Sequence, residues 1–338
     1  MRGRLSALVE SFQQTEGLLG LLAAYTNIPP SSPPLIAIVG PTAVGKSRLA
    51  LELARQFEGE IINGDSRQVY RHMDIGTAKP SLQERALVPH QLVDIVEPDE
   101  PYSLALYLEQ ARKAIQDIQE RGKLPILVGG TGQYIWGILQ GFHTPQVAPN
   151  QSLRTRLEAQ AVEEGHDALW QRLQAVDSVA ASRIDSRNVR RVVRALEVFF
   201  ETGIPFSQAQ RREEPPYHSL VIGLTLERTL LYDRIDRRAD AMAAGGWPLE
   251  VSYLLENGHS PELPSMSSLG YREMAAYVRG KLPLEDALAR IKTATHRFAR
   301  HQYAWFRLRD SRINWLDTDA QETADRACDT IDGFLKGR

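Results

Sequence analysis

The run IAIVGPTAVGKSRLALELAR, residues 36 to 55, constrains the fold more than any other stretch. An apolar, β-branched segment enters a loop bounded by Gly40 and Gly45, and Lys46 and Ser47 then open a helical pattern. This is the G-x4-G-K-[ST] spacing in its working context, with a strand before it and a helix after it. Backbone N–H groups of such a loop converge on an anion, and the helix dipole favours negative charge at the same place. Gly40, Pro41, Thr42, Ala43, Val44, Gly45, Lys46 and Ser47 therefore form the candidate phosphate cradle. Lys46 adds a positive charge, and the Ser47 hydroxyl can ligate Mg2+.

Strand and helix patterns alternate beyond the loop. LIAIV, GEIING and LPILVGG read as buried strands, and SRLALELARQF and YSLALYLEQARKAIQDIQERG as helices. Alternation of this kind implies a parallel sheet with helices on both faces. The pattern breaks near LQGFHTPQVAPN, after which SLRTRLEAQAVEEG, HDALWQRLQAV and NVRRVVRALEVFFETG are all helical. SLVIGLTL, residues 219 to 226, then returns the chain to the sheet. A long helical stretch from Leu284 to Arg309 and a short INWLD strand follow. The expected division is a core of 35–140 and 213–318, a helical insertion of 141–212 and a C-terminal helix in 319–338. Residues 1–34 end in a Pro/Ser-rich linker, lack a clear cleavage pattern and read as a disordered extension without an assigned function.

Composition excludes several classes. The 338 residues are 43% hydrophobic and 24% charged, enough to bury a full core. A net charge of −2 excludes a general polycation, so any nucleic-acid surface is a local patch. Cys328 is the only cysteine. That rules out a disulfide framework or a Cys-rich zinc site and fits a reducing, cytoplasmic setting. No apolar run has the length of a membrane span, so no membrane association is expected.

The default occupant of the cradle is ATP or GTP. A nucleotide hydrolase, however, usually carries an acid at the end of a neighbouring strand to hold the metal. LPILVGGT ends instead in Gly129, Gly130 and Thr131. The best-placed acid is Asp65, just past the second strand, at the sheet edge where ligand crevices lie. A cradle, one carboxylate and one hydroxyl could serve a displacement in which diphosphate leaves. Asp65 also reads as a turn or capping residue, and Thr131 as the cap of the next helix.

DSRQVYRHMDIGTAKP, residues 65 to 80, together with the loop and LVGGTGQY, closely resembles the tRNA dimethylallyltransferase family, the IPP transferases. The resemblance continues through RRVVRALEVFFETG, LYDRIDRRADAM, SLGYRE and RFARHQYAWFR, over roughly residues 36 to 317. Ser47 for threonine and SLGYRE for a more usual Ile-Gly-Tyr are local departures. The resemblance implies an α/β fold, a P-loop NTPase-like parallel sheet flanked by helices with an inserted all-helical subdomain. It implies transfer of a dimethylallyl group from dimethylallyl diphosphate to N6 of adenosine 37, in tRNAs that read codons beginning with U. By the same resemblance Lys46, Ser47 and Arg238 hold the diphosphate with Mg2+, Asp65 is the general base and Thr131 places the reacting groups. Candidate tRNA contacts are Asp65, Ser66, Arg67, Gln68, Thr131, Arg154, Arg190, Arg191, Arg194, Gly270, Tyr271, Arg272, Arg300 and Arg307. A monomer without an obligate protein partner is expected.

An adenine stacked in an anticodon loop must be extruded to reach the bottom of a crevice, so the RNA has to be gripped elsewhere. Arg187, Arg190, Arg191 and Arg194 follow helical spacing, and four like charges on one face attract an anion. RFARHQYAWFRLR interleaves Arg297, Arg300, Arg307 and Arg309 with Tyr303, Trp305 and Phe306, a mixture suited to loop RNA. Arg154 and Arg156 stand on the first inserted helix. Each set also reads as a solvated basic face, with the aromatics in the core. Two other activities remain open from the residues alone, prenylation of free adenine nucleotides and small-molecule phosphorylation.

Overall fold

A computed structural model of the chain describes residues 32–337 apart from Gln146, Pro215, Pro216 and Gln321. Residues 1–31 of the expected extension lie outside the described residues. In chain order the core begins with β1 (Pro34–Val39), α1 (Lys46–Gln56), β2 (Gly59–Asn63), α2 (Leu82–Leu87) and β3 (His90–Gln91). It continues with α3 (Leu104–Glu120), β4 (Leu124–Gly129) and α4 (Gly132–Leu139). A second run holds β5 (Phe142–His143), α5 (Gln151–Glu163), α6 (His166–Val176), α7 (Ser178–Arg183), α8 (Val189–Thr202), α9 (Phe206–Ala209) and β6 (Arg211–Arg212). The chain then forms β7 (His218–Thr225), α10 (Arg228–Ala244), α11 (Trp247–Glu256), α12 (Tyr271–Val278), α13 (Leu284–Trp305), β8 (Ile313–Asp317) and α14 (Thr323–Lys336).

Six strands form one parallel sheet in the order β3-β2-β4-β1-β7-β8. Leu35 to Val39 of β1 are fully buried, as the centre of a parallel sheet covered on both faces requires. Ile38 pairs with Val128 on one side and Ile222 on the other. The main apolar cluster joins these strands to Leu49 and Leu53 of α1 and to Leu231 and Ile235 of α10. Ala327 and Ile331 of α14 belong to the same cluster, so the C-terminal helix is part of the core. A second cluster seats Val69, Tyr70 and Met73 against Trp247, Val251 and Tyr271. The DSRQVYRHMDIGTAKP segment is thereby anchored on α11 and α12 without regular structure of its own.

Contacts divide the chain into two compact units, one built from the residues up to Leu139 and from Glu214 onward, the other Gln140–Glu213. The second unit has its own core, with Leu153 and Leu157 of α5, Leu169 and Leu173 of α6, and Val192 and Leu196 of α8. Its ends meet in a two-residue antiparallel ribbon that pairs Phe142 with Arg212 and His143 with Arg211.

Candidate active site

The chain leaves β1 toward β2, on the far side of β4, and leaves β4 toward β7, on the far side of β1. Two adjacent strands that send their connections in opposite directions open a crevice at their carboxyl ends. The Gly40–Ser47 loop lies there. Gly40, Ala43 and Gly45 have positive φ of 141°, 63° and 104°, which turns the loop tightly before α1. A Cβ on Gly40 would lie 2.4 Å from the Leu224 carbonyl oxygen, so the loop rests directly on β7. The Lys46 ammonium donates to the Pro41 carbonyl at 2.7 Å. The Thr42 N–H donates to Gln302 Oε1 at 2.8 Å, so one amide of the expected cradle faces a side chain. A cavity of about 350 Å3 opens beside the loop, lined by Lys46, Ser47, Asp65 and Arg238. Ala50, Ile61, Ala78, Pro80, Val93 and Val128 give it an apolar wall.

Asp65 follows β2. Its N–H donates to Asn63 Oδ1 at 2.9 Å, while Asn63 Nδ2 donates to the carbonyls of Asp65 and Leu92. Asp65 Oδ1 accepts the Arg67 N–H at 2.8 Å, which realises the turn role expected of it. Oδ2 has no hydrogen-bond partner among the described residues. Thr131 is not a helix cap through its side chain: Oγ1 accepts the Ser66 N–H at 3.1 Å, tying the turn after β4 to the residue beside Asp65. The Gly64 N–H donates to the Val128 carbonyl and the Thr131 N–H to the Gly64 carbonyl. A Cβ on Gly129 would lie 2.1 Å from the Gly64 oxygen, so only glycine lets the two strand ends approach this closely.

Burial lowers the Lys46 pKa to about 8, against the field of Asp65 and together with that of Arg238. Burial also lowers the Arg238 pKa, opposed by Asp65. Arg238 has no hydrogen bond or ion pair among the described residues. Two partly buried cations beside one carboxylate leave positive charge for an anion to neutralise. The oxygen donors suit Mg2+. The Ser47 hydroxyl is exposed, without a partner among the described residues, and Mg2+ commonly takes few protein ligands and completes its shell with phosphates and water. No group of three or more His, Cys, Asp or Glu able to hold a metal by protein alone occurs among the described residues.

Thr77, Ala78 and Pro80 line the cavity, and a residue that sequence reading missed holds the segment just before them. Glu250 Oε2 accepts the N–H groups of Asp74 and Ile75 at 2.7 and 2.6 Å. Its Oε1 accepts the Gly76 N–H at 3.2 Å and the Tyr271 hydroxyl at 2.7 Å. Gly76 and Gly270 each approach Trp247 so closely that a Cβ would lie 2.2 Å from the ring. The buried Lys79 ammonium donates to the Tyr70 carbonyl and to Asp74 and Asp94.

The candidate tRNA contacts separate into engaged and free groups. Arg67 donates to the Pro264 carbonyl and to Ser267, and Gln68 to the carbonyls of Thr77 and Ala78, so both side chains hold the fold. Tyr271 is fully buried and serves Glu250; the SLGYR segment offers Arg272, which is exposed, and Gly270, whose φ of 86° makes the turn into α12. The four-arginine face needs correction. Arg187 precedes α8 and pairs with Asp185. Arg194 donates to the fully buried Glu197 and to the carbonyls of Pro145 and Val147. Arg154 makes a bidentate pair with the same Glu197. The anion those charges call for is an internal carboxylate, which the sequence argument overlooked because Glu197 lies one turn along the same helix. Arg190 and Arg191 stay exposed, as do Arg156, Arg297, Arg300, Arg307 and Arg309. Phe306 is buried whereas Trp305 is 47% exposed. No helix among the described residues is long and apolar enough to cross a membrane.

A phosphate-loop motif after a central strand of a parallel sheet, with a carboxylate lining the same cavity, defines a P-loop NTPase-like α/β protein. A family model described as IPP transferase matches residues 68–309. A tRNA dimethylallyltransferase from Roseiflexus castenholzii is 56% identical over 294 residues, covering 87% of this chain and 96% of its own. One from Thermomicrobium roseum is 50% identical, covering 84% and 86%. The crystal structure of a tRNA isopentenylpyrophosphate transferase from Bacillus halodurans superposes with a TM-score of 0.67 at 40% identity, over 90% of this chain and 97% of that one. A eukaryotic dimethylallyltransferase acting on tRNA gives a TM-score of 0.77 at 30% identity, over 91% and 80%. The chain belongs to the IPP transferase family.

Proposed function

We propose that the protein transfers the dimethylallyl group of dimethylallyl diphosphate to N6 of adenosine 37 in the anticodon stem-loop of tRNAs that read codons beginning with U. The products are N6-(dimethylallyl)adenosine and diphosphate. The observation that carries this reading is one cavity that joins Lys46, Ser47 and Arg238 to Asp65 and to an apolar wall. The cationic end suits a diphosphate and the wall suits a five-carbon chain.

The chemistry follows from the groups. The amine lone pair of adenine is delocalised into the ring, so the nitrogen is a weak nucleophile. As the N–C bond forms and the allylic C–O bond breaks, the nitrogen becomes cationic and the bonding pair departs with the diphosphate. The free oxygen of Asp65 accepts the proton then released, a step typically worth about 10²–10⁴-fold. Lys46, Arg238 and the open loop amides stabilise the charge gathering on the leaving group. Mg2+, held by Ser47, would neutralise phosphate oxygens in the same place. Thr131 keeps Ser66 and Asp65 in register with the turn after β4. Exposed Arg190, Arg191, Arg272, Arg300 and Arg307 are the proposed phosphate contacts of the RNA.

The test is mass spectrometry of an unmodified tRNA incubated with protein, Mg2+ and dimethylallyl diphosphate. The expected result is one added C5H8 on adenosine 37. Modification of free AMP but not of tRNA would move the reading to nucleotide prenylation. Transfer of label from ATP without prenyl transfer would move it to a kinase, which the absence of a carboxylate at Gly129–Thr131 already disfavours.

A further inference from the structure

Above β1 and β4, where the crevice opens, the phosphate loop and the turn after β4 are joined by one side chain from α13. Gln302 Oε1 accepts the Thr42 N–H at 2.8 Å, and Gln302 Nε2 donates to the Gly130 carbonyl at 3.1 Å. Gln302 is 4% exposed. A primary amide carries an acceptor and a donor on one rigid plane, so it can span these two backbone groups in one orientation only. A Cβ on Gly130 would lie 2.1 Å from Nε2, so the turn is shaped to admit the amide.

Both ends of this strut sit next to reacting groups. Thr42 belongs to the cradle, four residues before Lys46. Gly130 precedes Thr131, whose hydroxyl fixes Ser66 beside Asp65. The β2 and β4 ends are stapled directly through Gly64; the loop after β1 lies close to the turn after β4 at Gly40 and Gly130, and Gln302 supplies the hydrogen bonds that tie the two together. The mechanism needs the leaving diphosphate and the attacking amine on opposite sides of one carbon. A misplacement of about 1 Å in such an arrangement can lower the rate about 10²-fold.

We propose that Gln302 is a positioning residue that fixes the distance between the phosphate cradle and the Thr131–Asp65 pair, and so aligns donor and acceptor for transfer. The inference rests on the transfer reaction proposed above. Gln302→Leu keeps similar volume and removes both bonds. Gln302→Glu keeps an acceptor for Thr42 but sets a second acceptor against the Gly130 carbonyl. Gly130→Ala displaces the amide from the opposite end while leaving α13 untouched.

The experiment measures single-turnover prenyl transfer to a tRNA transcript, with donor affinity read from competition by inorganic diphosphate. All three variants are expected to lower the transfer rate constant about 10–100-fold, with diphosphate and tRNA affinities within about threefold of wild type. A merely structural role would lower the fraction of active protein and leave the rate constant of the remainder unchanged. A folded Gln302→Leu protein with the wild-type rate constant would overturn the proposal. So would loss of diphosphate affinity with an unchanged rate constant, since Gln302 would then serve the cradle alone. If Gln302→Leu does not fold, Gly130→Ala decides by the same two readouts. Wild-type protein that binds diphosphate but transfers nothing would remove the reaction itself, an outcome distinct from a normal wild type with unaffected variants.

Discussion

The carboxylate of Glu197, fully buried in the inserted unit, accepts Nε and a terminal nitrogen of Arg154 at 2.8 Å each. Burial alone would raise its pKa, but hydrogen bonds from Arg154, Arg194 and the Asn150 N–H outweigh that and hold it below the usual value. A lowered carboxyl pKa gives stability that is complete above the unfolded value, about 4.3, and is lost as pH falls through the folded one. Arg154→Ala leaves Glu197 short of a partner and is expected to cost on the order of 3 kcal/mol. Arg190→Glu and Arg191→Glu should leave thermal stability unchanged and weaken tRNA binding, each reducing the salt slope by about one. Melting curves and filter binding at several salt concentrations separate the two classes.

Asp65→Asn retains the acceptor for the Arg67 N–H but gives up the free carboxylate oxygen. The transfer rate should fall about 10²–10⁴-fold, with tRNA affinity within a few-fold of wild type. Thr131→Ala should be slower than wild type as well, since the Ser66 N–H loses its acceptor. Single-turnover assays beside binding titrations check both, and near-wild-type turnover by an alanine at position 65 would exclude it as the base.

Lys46 gives the donor its pH dependence. With a pKa of about 8 in the unliganded protein, it is charged below that pH, and diphosphate binding is at full strength. As pH rises through 8 the free protein loses the proton, and donor affinity should fall by up to about tenfold per unit. KM for dimethylallyl diphosphate, measured from pH 7 to 10, should turn upward near 8. Lys46→Met should bind weakly throughout and show no such inflection.

Glu250 does not line the cavity, yet three consecutive N–H groups of the Asp74–Gly76 segment depend on it. Glu250→Ala should release the wall formed by Thr77, Ala78 and Pro80. The expected outcome is a rise of about tenfold or more in the donor KM, together with a loss of about 1–3 kcal/mol for the unsatisfied amides. Tyr271→Phe removes one of four bonds to the same carboxylate and should be milder. Kinetics with varied donor and thermal melts test the ordering.

The sheet and its phosphate loop were legible because their signals are local: buried β-branched runs, two glycines at fixed spacing, and a lysine at the head of a helix. Asp65 and Thr131 could be placed at the crevice for the same reason, each lying at a strand end. What escaped notice depends on distant partners. Gln302 lies 260 residues from Thr42 and 172 from Gly130, and in sequence is only a polar residue between arginines and aromatics. Its sole signal is helical phase, since it shares a buried face with Ala299 and Phe306. Glu197 failed to register because a glutamate in a helix reads as solvated unless its position on the apolar face is counted.

The ribbon of Phe142–His143 against Arg211–Arg212 brings the two ends of the helical unit side by side. The chain therefore enters and leaves that unit at neighbouring points, and bridging those points with a short turn changes the chain entropy little. Excising the helices between the ribbon strands should leave a miniature protein that folds around its own sheet and still captures pyrophosphate. In evolutionary terms the ribbon is a clasp: it gathers the inserted helices into a module with its own core and one paired point of entry and exit along the chain.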